Sequence, residues 1–266
     1  MHGIWFPSMR DGLIRAGGDL REVDLSCAFY GDVFRPPERV LSGVVPWYAA
    51  EDVCEGFETE LLLRWWSDAA GQDPSVVVPD ARTLARTPRS VQSALNALSN
   101  SRFFAGLAER MMIVSLKQVR QYLTDDAVRA EVQARVERCV SDDTRVLVGH
   151  SLGSVVAYEA LCAHPEWPVR TLVTLGSPLG VRRLIFDRLR PEPDENGIGR
   201  WPGPVVSWTN VADGGDVVAL RKNLSELFGD RVRTTLVHCG AQAHDVTRYL
   251  TAEAVGKAIA SGLADA

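Results

Sequence analysis

Gly149-His150-Ser151-Leu152-Gly153 has the pattern G-x-S-x-G. A serine hydroxyl is a weak nucleophile until a neighbouring base takes its proton. The pentapeptide also arises by chance, so its surroundings decide. Here the apolar run Val146-Leu147-Val148 leads into it, and an apolar helical pattern over Ser151–Ala163 follows. That strand–turn–helix context favours a nucleophile over an ordinary serine in a connecting turn. A sharp turn would lift Ser151 at the carboxyl edge of a sheet, and the flanking glycines keep side chains away from crowded backbone. The N–H groups opening the helix would favour an oxyanion forming beside the serine.

The other groups with acid–base chemistry are few. The histidines are His2, His150, His164, His238 and His244. His150 fills the variable position of the motif, where packing or a hydrogen bond is expected. His164 ends the helical pattern, His238 ends the apolar run TTLVH, and His244 sits in the loop CGAQAHD before the last helical pattern. Asp213 and Asp216 share a glycine-bearing loop in WTNVADGGDVVAL. Asp245 stands where a helix N-cap is expected. His238, Cys239 and His244 lack an acidic or cysteine partner at ligand spacing, so neither a metal nor a cofactor is expected.

The elements that must position these groups are clearest in the second half. Thr144–Gly149, Val169–Leu175, Val205–Thr209 and Arg231–His238 are short β-branched or leucine-rich runs. Helical patterns over Ser151–Ala163 and Asp245–Ala260 flank them. Strands apolar on both faces, alternating with helices, predict an α/β fold with a mostly parallel sheet covered on both sides. The alternation VDLSCAFY within Arg21–Tyr30 predicts a further strand. Residues 36–125 read as a helical insertion or cap within a single domain spanning 1–266. Its helical patterns cover Glu51–Ala69, Val91–Leu98 and Arg102–Leu123, and another runs over Thr124–Val140. The apolar stretch containing Phe103, Phe104, Leu107, Met112, Leu116 and Tyr122 reads first as a packed cap and second as an acyl-binding wall. Trp65-Trp66 reads as core.

The segment VLVGHSLGSVVAYEAL followed by TLVTLGSPLG resembles the lipase and esterase branch of the α/β-hydrolase superfamily. The resemblance covers Thr144 to the C-terminus, and Met1–Arg35 more weakly; the helical middle matches nothing in it. It implies a Ser-His-Asp triad and ester hydrolysis through an acyl-enzyme, with the triad in the chain order serine, acid, histidine. Ser151 would be the nucleophile, and the base must then come from His238 or His244. His244 is favoured because its loop follows the last strand. Asp216-Val217-Val218-Ala219 resembles the acid segment of the family, with alanine where proline is frequent. Asp216 is therefore the favoured acid, with Asp213 the other candidate. The resemblance implies an oxyanion hole built from the N–H of Leu152 and a second donor. Relatives often carry a His-Gly pair after an early strand, and His2-Gly3-Ile4 suggests Ile4 for that donor. If that likeness holds, a strand present in relatives would be expected to be missing ahead of His2.

Composition narrows the function further. The 266 residues include 29 Lys and Arg against 34 Asp and Glu, a net charge of −5. An acidic chain without a concentrated basic face is a poor binder of a phosphate backbone, so no nucleic-acid partner is expected. Five cysteines without C-x-x-C spacing suggest reduced thiols. No signal-peptide pattern and no long apolar run appear, so a cytoplasmic location without an integral membrane segment is expected. The expected substrate is a small-molecule acyl ester. An acyltransferase or thioesterase could use the same triad, and a non-catalytic hydrolase-fold binding or regulatory protein is the alternative from another class. The sequence does not specify the oligomeric state.

Overall fold

The computed structural model describes residues 2–18, 24–35, 48–79, 88–99, 101, 109–240 and 242–264. The chain divides into two compact units, one of residues 1–29 and 133–266, the other of residues 30–132.

The first unit is α/β. Its sheet has four strands in the order β1 (Val146–His150), β2 (Thr171–Leu175), β3 (Ser207–Asp213) and β4 (Val232–Val237). All neighbours are parallel, with Val148 beside Val173, Val173 beside Thr209 and Thr209 beside Arg233. Parallel neighbours require a crossover between them. Helix α6 (Leu152–Ala163) fills the first crossover and packs on β1 and β2. Every residue of β2 is buried, which explains its unbroken apolar and β-branched character.

Side chains alternate across a strand, so each face gathers its own set. One face carries Val173, Leu175 and Val211 against Met9 and Leu13 of α1 (His2–Arg15). Tyr249 and Leu250 of α8 (Val246–Leu250) join them, with Val255 and Ile259 of α9 (Glu253–Ala264). On the other face Trp208 packs on Tyr158 of α6 and on Phe228 of the short helix α7 (Ser225–Phe228). The Trp208 Nε1–H donates to Thr174 Oγ1, whose own hydroxyl donates to Asn210 Oδ1. This buried polar chain is paired internally, as burial demands.

Among the described residues the second unit has only helical regular structure: a 3-10 turn at Ala50–Asp52, α2 (Phe57–Gln72), α3 (Pro88–Ser99) and α4 (Glu109–Thr124). Helix α5 (Asp126–Glu137) carries the chain from this unit into the first. The face of α4 formed by Met112, Ile113, Leu116, Val119 and Tyr122 is buried, and α4 packs on α2 and α3. Trp65 and Trp66 are buried, and the Trp66 indole donates to the Val77 carbonyl. Glu58 is buried as a carboxylate bound by Arg120, Lys117 and the Cys54 N–H. The helical insertion expected over 36–125 falls inside this unit. Residues 36–47, 80–87, 100 and 102–108, with Phe103, Phe104 and Leu107, lie outside the described residues.

Helix α1 lies where no element was expected, and two expected elements take another form. Residues 24–30, expected as strand, have no regular structure, while 21–23 lie outside the described residues. Leu25 packs against the core while Asp24 and Ser26 are exposed. The alternation thus encodes half-burial, and a strand needs a ladder partner as well. The single helix expected over Asp245–Ala260 is two. The Thr251 hydroxyl donates to the Thr247 and Arg248 carbonyls, and the Ala252 N–H turns to the Tyr249 carbonyl three residues back. That tightening ends α8 and restarts the helix at Glu253.

All five thiols are free. Among the described residues no helix is long and apolar enough to cross a membrane.

Candidate active site

The carboxyl ends of β1, β2 and β3 meet the loop after β4. Ser151 follows β1 directly and is the N-cap of α6, with φ 52 and ψ −128. A left-handed φ on a non-glycine residue costs on the order of 1–3 kcal/mol and persists only where neighbours over-determine it. The neighbours are visible. The Ser151 N–H donates to the Leu175 carbonyl at 3.0 Å, tying the turn to β2. The Ser151 carbonyl accepts from the Ser154 N–H at 2.9 Å and the Ser154 hydroxyl at 2.6 Å. Ser154 Oγ lies 2.7 Å from Ser177 Oγ, and both residues are buried. With the Ser154 proton committed to Ser151, Ser177 donates to Ser154 and accepts from the Leu179 N–H. A directed chain of hydroxyls therefore holds the strained turn.

Gly149 is needed on the near side, because a Cβ there would stand 2.5 Å from the Gly153 carbonyl oxygen. Leu152 opens α6, so its N–H is one of the first-turn donors that a helix leaves without an intrahelical partner.

Asp216 and His244 are brought together: His244 Nδ1 and Asp216 Oδ2 are 2.8 Å apart. Asp216 is fully buried and receives three further donors. The Tyr249 hydroxyl donates to Oδ2 at 2.7 Å. The N–H groups of Val218 and Ala219 reach Oδ1 at 2.9 and 3.3 Å. Alanine at 219 supplies an N–H that proline lacks. Burial alone would raise the Asp216 carboxyl. The His244 charge, the His244 hydrogen bond and the Tyr249 hydroxyl outweigh it and hold the group below its ordinary value.

Asp213 has a different position. Its carboxylate accepts from the Gly215 N–H at 2.7 Å and from the Cys239 N–H, tying the end of β3 to the loop after β4. Its own N–H donates to the Tyr249 hydroxyl oxygen at 2.8 Å. Tyr249 thus bridges the two aspartates, accepting from one backbone and donating to the other side chain. Burial, then the charge of Asp216, pushes its own phenol pKa upward, keeping it a donor. Burial, then Asp213 and Asp216, pushes the Cys239 thiol up to about 12, which removes it as a rival nucleophile.

His238 follows the end of β4 and shares no hydrogen bond with either aspartate. Asp245 caps α8, accepting from the Thr247 N–H at 2.7 Å and the Arg248 N–H at 3.3 Å. Ile4 stands in the first turn of α1 with an exposed side chain, and α1 packs on α8 and α9. Among the described residues Ile4 shares no hydrogen bond with Ser151, Asp216 or His244. Among those residues, too, Ser151 Oγ and His244 Nε2 have no hydrogen-bond partner, and no group of three or more metal-ligating side chains converges.

Sequence reasoning missed Tyr249, Ser154, Ser177 and Gly176. A signal existed for Tyr249, which lies one turn beyond the N-cap Asp245 and so faces back along the helix. Gly176 has φ 52, and a Cβ there would lie 2.6 Å from Asp216 Oδ2 and 3.1 Å from His244 Nδ1. Gly176→Ala combines a strained φ with this clash, and a loss of about 2–4 kcal/mol in stability is expected. Urea denaturation measures it, and an unshifted midpoint would contradict the packing described.

Compared with protein-family models, curated proteins and solved structures, the chain matches none of them.

Proposed function

We propose that this chain is a serine hydrolase of the α/β-hydrolase type that cleaves carboxylic esters of small molecules through an acyl-enzyme. One observation carries the reading: a serine held at φ 52 between a strand and a helix, with a buried aspartate bonded to a histidine above the ends of the adjacent strands. An ordinary turn has no reason to hold a serine in that strain, nor an ordinary core to bury a carboxylate on a partly exposed imidazole.

The steps follow from the groups present. His244 Nε2 takes the Ser151 proton as Oγ attacks the acyl carbon, and the carbonyl electron pair moves onto oxygen. The Leu152 N–H and the start of α6 favour that oxyanion. Asp216 holds His244 in the tautomer with hydrogen on Nδ1 and stabilises the imidazolium. Collapse of the adduct breaks the ester C–O bond, and His244 returns the proton to the departing alcohol. Water, deprotonated by the same imidazole, then releases the acid and restores Ser151. No hydrogen bond joins Ser151 Oγ to His244 Nε2 here, and in this chemistry such contacts form or tighten in the substrate complex.

The test is covalent labelling of the whole chain with a fluorophosphonate, followed by peptide mapping. Modification at Ser151 is expected. Folded protein that takes up no label, or takes it only elsewhere, ends this reading. Turnover of a series of p-nitrophenyl esters of increasing acyl length then defines the acyl preference.

A further inference from the structure

The residue between Gly149 and Ser151 has a partner that the mechanism above does not use. His150 Nε2 lies 3.0 Å from the His244 carbonyl oxygen. A carbonyl only accepts, so Nε2 carries the hydrogen and Nδ1 the lone pair. The two imidazoles also lie against each other, with centroids 4.6 Å apart and planes at 37°. The Tyr249 ring is 6.0 Å from His150 on the neighbouring helix. The ionisable groups around His150 are His244, Asp216 and Asp245 together with that tyrosine. Loss of hydration, then the His244 charge, carries His150 down to about 3. His150 is therefore a neutral donor near neutral pH.

His244 thus has two anchors at opposite ends of the residue. Asp216 holds its ring at Nδ1, and His150 holds its backbone oxygen. The second anchor matters because the base lies on a loop, between β4 and α8, rather than on a regular element. His150 is the last residue of β1 and the immediate neighbour of Ser151. One hydrogen bond, spanning 94 residues of sequence, therefore joins the strand that carries the nucleophile to the loop that carries the base.

We propose that His150 is a positioning residue for His244, its Nε2–H holding the His244 carbonyl and so setting the reach of the base toward Ser151. The catalytic consequence rests on the hydrolase reading; the anchor itself does not. His150→Phe keeps a ring and removes the donor. His150→Gln places an amide N–H near the position of Nε2. His150→Asn is polar but too short, and replaces the phenylalanine variant if that one does not fold.

Two measurements on the full chain separate the possibilities. Amide hydrogen exchange over residues 242–246, without ligand, is expected to quicken by about tenfold in His150→Phe and to stay near wild type in His150→Gln. Ester kcat, or the labelling rate where no turnover is found, is expected to fall on the order of 10–100-fold in His150→Phe with KM changed less than about twofold. His150→Gln should recover most of that loss. Exchange and rate both unchanged in His150→Phe, or a folded His150→Gln as impaired as His150→Phe, would overturn the proposal. Wild-type protein that takes no label, while His150→Phe still loosens the loop, leaves the anchor standing and removes the hydrolase reading.

Discussion

Ser151→Ala is expected to lose fluorophosphonate labelling completely and to lower ester kcat on the order of 10⁶-fold. The size follows from the cooperation of the site. Without an oxygen at 151, His244 has no proton to take and Asp216 has no imidazolium to stabilise, so their contributions vanish together. Residual hydrolysis on the order of 10³–10⁴ over water would reflect the oxyanion donor at Leu152 and substrate positioning. Folding should survive, because the turn is held through the backbone N–H and carbonyl of residue 151 and through Ser154. The same logic separates the two histidines after Asp216. His244→Ala should abolish turnover, and His238→Ala should leave it nearly intact. Loss confined to the His238 variant would assign the base to His238.

Asp216→Asn is expected to lower kcat by about 10⁴-fold, because an amide in place of the carboxylate turns His244 to the wrong tautomer. Asp213→Asn should act on stability more than on rate, since Asp213 accepts backbone N–H groups rather than the imidazole. The Asp216 variant also carries a pH signature. The folded pKa of Asp216 lies below its unfolded value. Its contribution to stability is therefore complete above about 3.9, the ordinary aspartate value, and is lost as pH falls through the lower folded value. Thermal unfolding of wild type and Asp216→Asn from pH 6 downward should give a difference that shrinks below about pH 4. A difference that grows with acidity would mean that burial outweighs the His244 and Tyr249 contacts.

The elements around Ser151 could be read from the chain because each is specified locally. The apolar run before Gly149 forms β1, and the period of Leu152–Ala163 forms α6. Val169–Leu175 supplies the fully buried β2, and Asp245 caps α8. Residues 24–30 and the break at Thr251 were not legible for a shared reason. Alternation and helical period report which side of a segment is buried. They do not report whether a ladder partner exists or whether a hydroxyl diverts the backbone.

Sequence alone determined an α/β chain with a serine at a strand–helix turn. It also placed Asp216 and His244 in loops that follow later strands, whereas Asp213, expected in the same loop as Asp216, is the last residue of β3. Tertiary structure alone decided that Asp216 rather than Asp213 meets His244, 28 residues away. It likewise decided that Tyr249 bridges both aspartates, that Ser177 backs Ser154, and that His150 reaches the His244 carbonyl. The physical reason is the range of each effect. Turn chemistry and periodicity act over a few residues, whereas a hydrogen bond between loops forms only after the parallel sheet has aligned the carboxyl ends of its strands.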